Sequence, residues 1–286
     1  MKTSVISIQH GCRATVIPTK TPSSTALERG LSILELVTRS RSGLTLSQIA
    51  RNLGFPKSSI HCLLLTFERE GYLRRSESTG KYVGGMKLVR IGDAALNGIM
   101  LRETAAELLH ALMNRTKLTV HMGILGPNEG IIIAKVDAPV SYKVASWIGK
   151  RLDLHCTSIG KCLIAWHGDD EIERITRENG LLRHNENTIA SLPKLKQELA
   201  CIRAQGYAID DEEEGLGMRC IGAPVFDADD RVIAAVSIAG DTEEIGPHNC
   251  AELAAIVQQT ASRISSQAGV FRESTTIAAG GEQRAN

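Results

Sequence analysis

The chain of 286 residues has a net charge of +1, a hydrophobic fraction of 43% and a charged fraction of 23%, which are ordinary values for a globular protein. Aromatic residues make up only 3%, which argues against nucleic-acid binding through stacking of bases on aromatic platforms. No apolar run reaches the roughly 20 residues of a membrane span, and the seven cysteines lack the paired spacing of a disulfide framework. We therefore expect a cytoplasmic protein of two domains, each large enough to bury its own core.

The charge is distributed unevenly along the chain. Residues 1–85 contain 12 Lys or Arg and 5 Asp or Glu, an excess of seven positive charges, whereas the remainder has an excess of six negative charges. A basic first third joined to an acidic remainder predicts a module that binds a polyanion, attached to a second domain with another task.

The first predicted element is a helix that follows an irregular start. Residues 1–24 are polar, contain proline and lack periodicity, so we expect a disordered basic arm. Helical periodicity begins directly afterwards and ends at the polar segment 40–43. The apolar face of this helix is predicted to consist of Leu27, Leu31, Ile33, Leu34 and Val37.

Two further helices are predicted, joined by a tight turn. Thr45, with Gln48 three residues later, has the pattern of a capping box at the start of the first one. Gly54 ends that helix, and Pro56 stands where the next can begin, since a first turn does not need the missing N–H. The apolar positions of the second helix are Ile60, Leu63, Leu64 and Phe67. Two short strand-like runs around a Ser/Thr/Gly turn follow, so residues 25–85 are predicted to form a winged helix-turn-helix.

This fold predicts a DNA-contacting surface. The side of the second helix opposite its apolar face would enter the major groove, and the hairpin wing would meet backbone phosphates. The predicted contacts are Thr45, Ser47, Gln48, Lys57, Ser58, Ser59, His61, Cys62, Arg74, Arg75 and Lys81. The alternative is a small helical bundle that contacts proteins through the same solvated faces. Such a bundle would show no salt-sensitive DNA binding.

The rest of the chain predicts a linker and an α+β domain. Residues 86–115 are helical in pattern, interrupted by Gly92 and Gly98, which predicts two linker helices or one kinked helix. In residues 116–268 the strand-like segments are LTVHMGIL, GIIIAKVD, YKVAS, YAID, RCIGAPVFD and VIAAVSIAG, with helices from about Ser158, from Leu192 to Gln205 and from about Asn249 to Ala268. This mixture predicts one antiparallel sheet with helices. Residues 269–286 are expected to be disordered.

The segment LDLHCTSIGKCLIAW, residues 152–166, concentrates side chains that can act as nucleophiles, bases or ligands. We predict a helix with Ser158 as its N-cap. The first backbone N–H groups of that helix, near Ile159 and Gly160, suit a carboxylate ligand. The segment is therefore predicted to bind an anion without using a nucleophile.

Two other roles of this segment stay open. A thiol enzyme with an appended DNA-binding domain would use Cys156 or Cys162 with His155, but none of them lies in a nucleophile motif. A zinc site from these three residues would need a further ligand from elsewhere, because the cysteines lack the usual close spacing. We favour Cys162 as a buried apolar residue of the helix, and predict no catalytic residue, no metal and no cofactor.

Four segments of the chain, taken in order, resemble the IclR family of bacterial transcriptional regulators. They are ALERGLSIL, LTLSQIARNLGFPKSSIHCLL, GKRLDLHCTSIGKCLIA and GYAIDDEEEGLGMRCIGAPVFDADDRVIAAVSIAG, and the resemblance extends from about Thr25 to Gln267. It implies a winged helix domain, a linker helix and a GAF-like C-terminal domain that binds a small carboxylate-bearing metabolite. It also implies dimers or tetramers on double-stranded operator DNA, acting as a repressor or an activator.

The resemblance also implies residues of an effector pocket. They are Ser158, Ile159, Gly160, Asp210, Met218, Cys220, Ser237 and Ala239. Two positions depart from the family pattern: Cys62 stands where an arginine is common, and Ala239 where a second serine is common. The acidic run at 210–214 has the alternative of a solvated loop, and we expect His121 and Met122 to be core or rim residues.

Overall fold

A computed structural model describes residues 25–40, 42–97, 99–126, 129–139 and 144–279, with side chains as far as residue 268. The chain divides into two compact units, Met1–Ala94 and Ala95–Asn286. The predicted basic arm at residues 1–24 lies outside the described residues. Within the ranges above, no helix has the length and apolarity that crossing a membrane requires.

The N-terminal unit is a three-helix bundle followed by a hairpin. Its elements are α1 (Thr25–Arg39), α2 (Leu46–Leu53), α3 (Lys57–Arg69), β1 (Leu73–Arg75) and β2 (Tyr82–Gly84). The capping box at the start of α2 is confirmed: the Thr45 hydroxyl accepts from Gln48 N, and Thr45 N donates to Gln48 Oε1 at 2.8 Å. Gly54 ends α2 at φ 69, a left-handed conformation that glycine adopts without strain. The predicted winged helix-turn-helix is therefore confirmed.

The core of this unit is small and apolar. Its buried members are Ile33, Val37, Ile49, Ala50, Ile60, Leu64, Leu73 and Tyr82. The predicted inner face of α3 is confirmed at Ile60 and Leu64. The predicted face of α1 is wrong at one edge, because Leu27 is 62% and Leu31 51% exposed. The helix packs instead through the side that carries Gly30, which is buried.

Two helices follow the hairpin, α4 (Met86–Asn97) and α5 (Met100–Thr116). The arrangement is therefore one of the two that the interrupted pattern predicted, while Gly98 itself lies outside the described residues. None of the residues of α4 is buried. In contrast, α5 buries Ala105, Leu108, Leu109 and Leu112 in the core of the C-terminal unit.

The C-terminal unit is built on one six-stranded sheet. Its strands are β3 (Thr119–Leu125), β4 (Gly130–Val136), β5 (Arg151–Leu152), β6 (Ala208–Asp211), β7 (Met218–Phe226) and β8 (Val232–Asp241). Their order is β5-β4-β3-β8-β7-β6, and every neighbouring pair is antiparallel. The prediction of a single antiparallel sheet is confirmed.

Helices cover both faces of this sheet. They are α6 (Ser158–Ile164), α7 (Asp169–Asn179), α8 (Leu192–Gln205) and α9 (Cys250–Ala279), in addition to α5. One apolar core joins α5 and α9 to one face, and a second joins α6, α7 and α8 to the other. Because the sheet is buried on both sides, β7 and β8 are continuous apolar runs rather than alternating ones.

Two predictions for the middle of this unit are wrong. The segment YKVAS at 142–146 was predicted as a strand, but its described residues, 144–146, belong to no strand. The edge strand is β5 instead, which has only two residues and therefore leaves no readable alternation. The helix α7 was not predicted, because its charged sequence buries only Ile172 and Ile175.

The last helix is longer than its apolar pattern indicates. It was predicted to end near Ala268, whereas the backbone stays helical to Ala279. Residues 269–279 are therefore helical and not part of a disordered tail, and residues 280–286 lie outside the described residues.

Candidate nucleic-acid interface and ligand cavity

The exposed face of α3 combines polar and apolar groups. Lys57, Ser58, His61 and Cys62 are exposed there, as predicted for a groove-facing side. Leu65, one turn beyond His61, is 50% exposed and is of the kind that contacts a thymine methyl group. No side chain caps the N-terminus of α3, so the backbone N–H groups of its first turn suit a phosphate.

The predicted contact Ser59 lies at the edge of this face. It is half-buried, and its hydroxyl accepts a hydrogen bond from Arg29 Nη1 of α1 at 3.4 Å. The same guanidinium lies 5.1 Å from the centroid of the Phe55 ring. Arg29 therefore joins α1 both to α3, through Ser59, and to the turn before α3, through Phe55. Helical periodicity does not reveal such long-range contacts.

The three predicted DNA contacts at the start of α2 differ in their hydrogen bonds and in their exposure. The side chains of Thr45 and Gln48 bond each other in the capping box, with Thr45 Oγ1 donating to Gln48 Oε1 at 3.0 Å. Ser47 is half-buried, whereas Gln48 is exposed. The geometry therefore gives Thr45 and Gln48 the role of fixing where α2 begins.

The wing carries the cations that were predicted for phosphate contact. Arg74 and Arg75 are exposed on β1, and Lys81 is half-buried just before β2. The Arg75 guanidinium lies 5.9 Å from the ring centroid of Tyr82, which orients it by a cation–π contact. Two exposed arginines on a two-stranded ribbon, one of them oriented by an aromatic ring, suit a nucleic-acid backbone.

In the C-terminal unit a small cavity lies between the start of α6 and the sheet. Its volume is about 30 Å³, the space of about one water molecule. Its lining includes seven of the eight residues that the sequence analysis assigned to an effector pocket. They are Ser158, Ile159, Asp210, Met218, Cys220, Ser237 and Ala239.

Two glycines of the sheet let α6 approach it closely. A Cβ atom on Gly222 of β7 would lie 3.0 Å from the backbone carbon and oxygen of Ser158. A Cβ atom on Gly123 of β3 would lie 2.8 Å from Ile159 Cγ2. Strand glycines of this kind mark a close approach of another segment, and here they bring the helix start to the cavity.

Ser158 was predicted as the N-cap of α6, but this prediction is wrong, because the N-cap is Thr157. Thr157 Oγ1 accepts a hydrogen bond from Gly160 N at 3.0 Å, and the first backbone bond of the helix runs from Lys161 N to Thr157 O at 2.9 Å. Gly160 does not line the cavity, and a Cβ atom there would lie 2.6 Å from Thr157 Oγ1. Gly160 therefore serves the tight cap, while Ser158 and Ile159 are the residues of the first turn of α6 that line the cavity.

Asp210 places a perturbed carboxyl group in the cavity wall. It is 1% exposed, and its Oδ1 accepts hydrogen bonds from the backbone N–H of Glu213 at 2.8 Å and of Glu214 at 3.3 Å. Its Oδ2 is buried without a partner. Burial raises the pKa of Asp210 to about 7. Near neutral pH this group can therefore both donate and accept hydrogen bonds.

An ion pair stands beside this carboxyl group. Lys150 Nζ donates to Glu214 Oε1 at 2.8 Å, and both residues line the cavity. Neither residue was predicted to line the pocket, although Lys150 lies in the segment GKRLDLHCTSIGKCLIA and Glu214 ends the acidic run at 210–214. The ammonium group of Lys150 can bind the carboxylate of a ligand if the side chain of Glu214 moves away.

His121 was expected at the core or rim, and the structure makes it a lining residue. It is 4% exposed, and its Nε2 lies 2.7 Å from Ser146 Oγ. Burial, followed by the charges of Lys135 and Lys150, lowers the pKa of His121 to about 4. The imidazole is therefore neutral and offers one donor and one acceptor. Its neighbour Met122 is fully buried in the core, as expected.

The acidic run at 210–214 is more than a solvated loop. Lys161 is fully buried, and its Nζ donates to Glu213, to Glu198 Oε1 at 3.1 Å and to Ile209 O at 2.5 Å. Burial alone would lower the pKa of the Lys161 ammonium, but the carboxylates of Glu213 and Glu198 outweigh it and raise that pKa. This buried ion pair anchors the loop that carries Asp210.

The geometry does not support a thiol nucleophile. Burial raises the pKa of Cys162 to about 12 and that of Cys156 still further, so both thiols are protonated and poorly reactive. The partner of His155 Nε2 is the backbone carbonyl of Leu182, at 2.9 Å. Cys162 lies in the apolar core between α6 and its neighbours, which agrees with its predicted role.

A winged helix-turn-helix joined to a domain with a buried polar cavity defines a DNA-binding transcriptional regulator. Two family models match the chain: the IclR helix-turn-helix domain over residues 26–77 and the bacterial transcriptional regulator IclR C-terminal domain over residues 93–266. The chain belongs to the IclR family.

Individual relatives agree with this assignment. The HTH-type transcriptional regulator XynR of Escherichia coli K12 is 36% identical over 248 residues, which cover 87% of this chain and 98% of the relative. The Thermotoga maritima IclR crystal structure has a TM-score of 0.68 at 30% identity, with 85% and 98% covered. An IclR homologue from Microbacterium hydrocarbonoxydans, complexed with 4-hydroxybenzoate, has a TM-score of 0.72 at 23% identity, with 85% and 98% covered. XynR is named as a transcriptional regulator, as the prediction for this chain expects.

Proposed function

We propose that the chain binds a pseudo-palindromic operator as a dimer or tetramer, and that a small organic acid in the C-terminal cavity alters this binding. The observation that carries the proposal is the meeting of an ammonium group, an unpartnered carboxyl oxygen and a helix start around one cavity. The 4-hydroxybenzoate complex of a protein with the same fold supports a carboxylate-bearing ligand. Such an effector must bind two states of the protein unequally.

The proposed binding mode exchanges one carboxylate for another. Because the cavity has a volume of only about 30 Å³, a ligand larger than water must displace a side chain. Glu214 is the candidate, since its carboxylate pairs with Lys150 at a cavity edge where both side chains are about one-fifth exposed. The ligand carboxylate takes its place beside Lys150, and a second polar group of the ligand meets Asp210 Oδ2.

Opposite effects of two neutralising substitutions test this exchange. Lys150→Gln removes the cation and weakens binding of the acid, whereas Glu214→Gln removes the competing carboxylate and strengthens it. Each change is expected to be on the order of tenfold, or about 1.4 kcal/mol. A thermal-shift screen of small hydroxycarboxylates, each beside its neutral amide, identifies the ligand, and calorimetry then gives the dissociation constants. Equal weakening by both substitutions would contradict the exchange.

A second pair of variants tests the N–H groups at the start of α6. Ser158→Pro removes one of them, and proline is tolerated at the first position of a helix. The preceding Thr157 already has the extended ψ of 147 that a following proline requires. Ser158→Ala keeps the N–H and is the matched control. We expect only the proline variant to lose affinity for the acid, while both variants bind operator DNA like the wild type.

The DNA contacts are proposed for the exposed face of α3 and for the wing. Arg74→Ala should weaken binding to all sequences and reduce the slope of log affinity against log salt by about 1, the effect of one lost phosphate contact. His61→Ala should instead change which bases are preferred. Fluorescence anisotropy at several salt concentrations measures both effects. Binding that does not depend on salt would refute the phosphate contacts.

A further inference from the structure

Three potential metal ligands meet at the turn between β5 and α6, outside the lining of the cavity. They are a carboxylate oxygen of Asp153, the sulfur of Cys156 and a ring nitrogen of His184, and these atoms all lie within 4.8 Å of one another. His184 Nε2 is 2.8 Å from Asp153 Oδ2. We propose that these three residues bind one transition-metal ion of the Zn²⁺ type. This metal site is separate from the effector cavity.

Local backbone geometry brings the first two ligands together. Asp153 and Cys156 are separated by two residues, the spacing of the paired cysteines in many zinc sites. The turn is closed on Asp153 O, which accepts from Thr157 N at 3.3 Å and from Thr157 Oγ1 at 2.7 Å. The cysteine spacing alone does not reveal this pair, because the first position is an aspartate.

The third ligand comes from the loop between α7 and α8, which is firmly held. His184 N donates to Thr188 Oγ1 at 3.1 Å, and Thr188 Oγ1 donates to Glu213 O at 2.8 Å. Asn185 Nδ2 donates to Glu212 O at 2.9 Å. These bonds fix the backbone beside His184, so little conformational freedom is lost when its ring binds an ion.

The spacing of the three ligand atoms fits a tetrahedral ion. Bonds of about 2.0–2.3 Å to nitrogen, oxygen and sulfur place neighbouring ligand atoms roughly 3.3–3.8 Å apart. Here His184 Nε2 and Asp153 Oδ2 are 2.8 Å apart, and the ligand atoms of all three residues lie within 4.8 Å of one another, so small side-chain rotations suffice. A donor set of thiolate, imidazole and carboxylate favours Zn²⁺ or Co²⁺ over Mg²⁺ or Ca²⁺.

Exposure leaves room for a fourth ligand. Cys156 is fully buried and forms the floor of the site. The side chains of His184 and Asp153 are 27% and 44% exposed, so the opposite side faces solvent. Three protein ligands with one open position accessible to water is the arrangement of an open zinc site.

The charge around the sulfur also favours a cation. The carboxylates of Asp153, Asp210, Glu213 and Glu214 act electrostatically on the Cys156 sulfur. Their negative charge also attracts a divalent ion. The alternative is a hydrogen-bonded His–Asp pair above a buried thiol, which would have no affinity for metal.

The test is a titration of the chelator-treated, full-length chain with Co²⁺, followed by displacement with Zn²⁺. We expect one equivalent to bind, with the near-ultraviolet charge-transfer band of a cobalt thiolate, and Zn²⁺ to remove that band. Cys156→Ala should abolish the band. Asp153→Asn and His184→Asn should each weaken binding by about 100-fold or more, since loss of even an outer-sphere partner costs 10–100-fold.

Matched controls separate this site from other thiols and from misfolding. Cys201→Ser changes an exposed cysteine elsewhere, and Cys12→Ser changes one near the N-terminus; both should keep the full band and affinity. Asp153→Asn and His184→Asn alter partly exposed side chains, so their folded state, checked by circular dichroism, should be retained. A wild-type chain without the band, or a Cys156→Ala variant that keeps it, would overturn the proposal.

Discussion

The two units of the chain differ in where they keep their polar groups. Every buried polar or charged residue in the described part of the chain belongs to the C-terminal unit. These residues are Thr119, His121, His155, Thr157, Ser158, Lys161, Thr188, Asp210, Glu213 and Ser237. The described charged residues of the N-terminal unit are instead exposed or half-buried, so salt screens them more strongly than buried charges. Charges in the interior interact more strongly, so a small ligand or a single proton can change the energy of the C-terminal unit.

The largest expected effect comes from breaking the buried ion pair. Lys161→Met leaves the Glu213 carboxylate buried without its partner, which should lower the free energy of unfolding of the C-terminal unit by about 3–5 kcal/mol. Lys57→Met, at an exposed lysine of the N-terminal unit, is the matched control and should stay within about 0.5 kcal/mol. Urea unfolding followed by circular dichroism measures both. Similar losses in the two variants would remove the contrast between the units.

A smaller effect is expected from the proton on Asp210. Its pKa rises from 3.8 to about 7 on folding, so the folded state binds more protons than the unfolded state between these values. Stability therefore falls as the pH rises through this window and is constant above it. Asp210→Asn removes this dependence, and its stability relative to the wild type should increase by at most about 2.7 kcal/mol from pH 5 to pH 8. If the difference in stability between the two proteins does not change with pH, the raised pKa of the buried Asp210 carboxyl group is contradicted.

The smallest effect is expected at the surface of the N-terminal unit. Thr45→Ala removes the capping hydroxyl of α2 and should lower the free energy of unfolding by about 1 kcal/mol. Thr66→Ala, within α3 at an exposed position, removes no cap and should change it by less than about 0.5 kcal/mol. Thermal unfolding of both variants checks this order. A loss at Thr66 as large as that at Thr45 would show that the capping box is not the cause.

Sequence reasoning predicted elements whose determinants are local. The start of α2 at Thr45 and its end at Gly54 follow from a capping box and a left-handed glycine, and α8 runs from Leu192 to Gln205 as predicted. In contrast, α7 and β5 escaped prediction. The first is almost entirely polar, and the second is too short for its pattern to be read.

In the candidate sites, too, only residues that local sequence patterns place could be predicted. The exposed face of α3 could be located from helical periodicity, and the wing arginines from two strand-like runs around a turn. In the cavity, His121 and Lys150 come from separate parts of the chain, and only the folded sheet brings them to Asp210, whereas Glu214 belongs to the same acidic run as Asp210. The burial of Lys161 was also not predictable, because its three partners come from α8, β6 and the following loop.

The central claim is that an acid bound inside one unit alters DNA binding by the surface of the other. The direct test measures the affinity of the full chain for an operator selected from random DNA, with and without a saturating small carboxylate found in the screen, in wild type and Lys150→Gln. We predict that the acid changes the dissociation constant of the wild type but not that of the variant at the same ligand concentration. The salt slope without ligand should be the same in both proteins, since it depends only on phosphate contacts. An acid that leaves wild-type affinity unchanged, or changes both proteins equally, would contradict the claim.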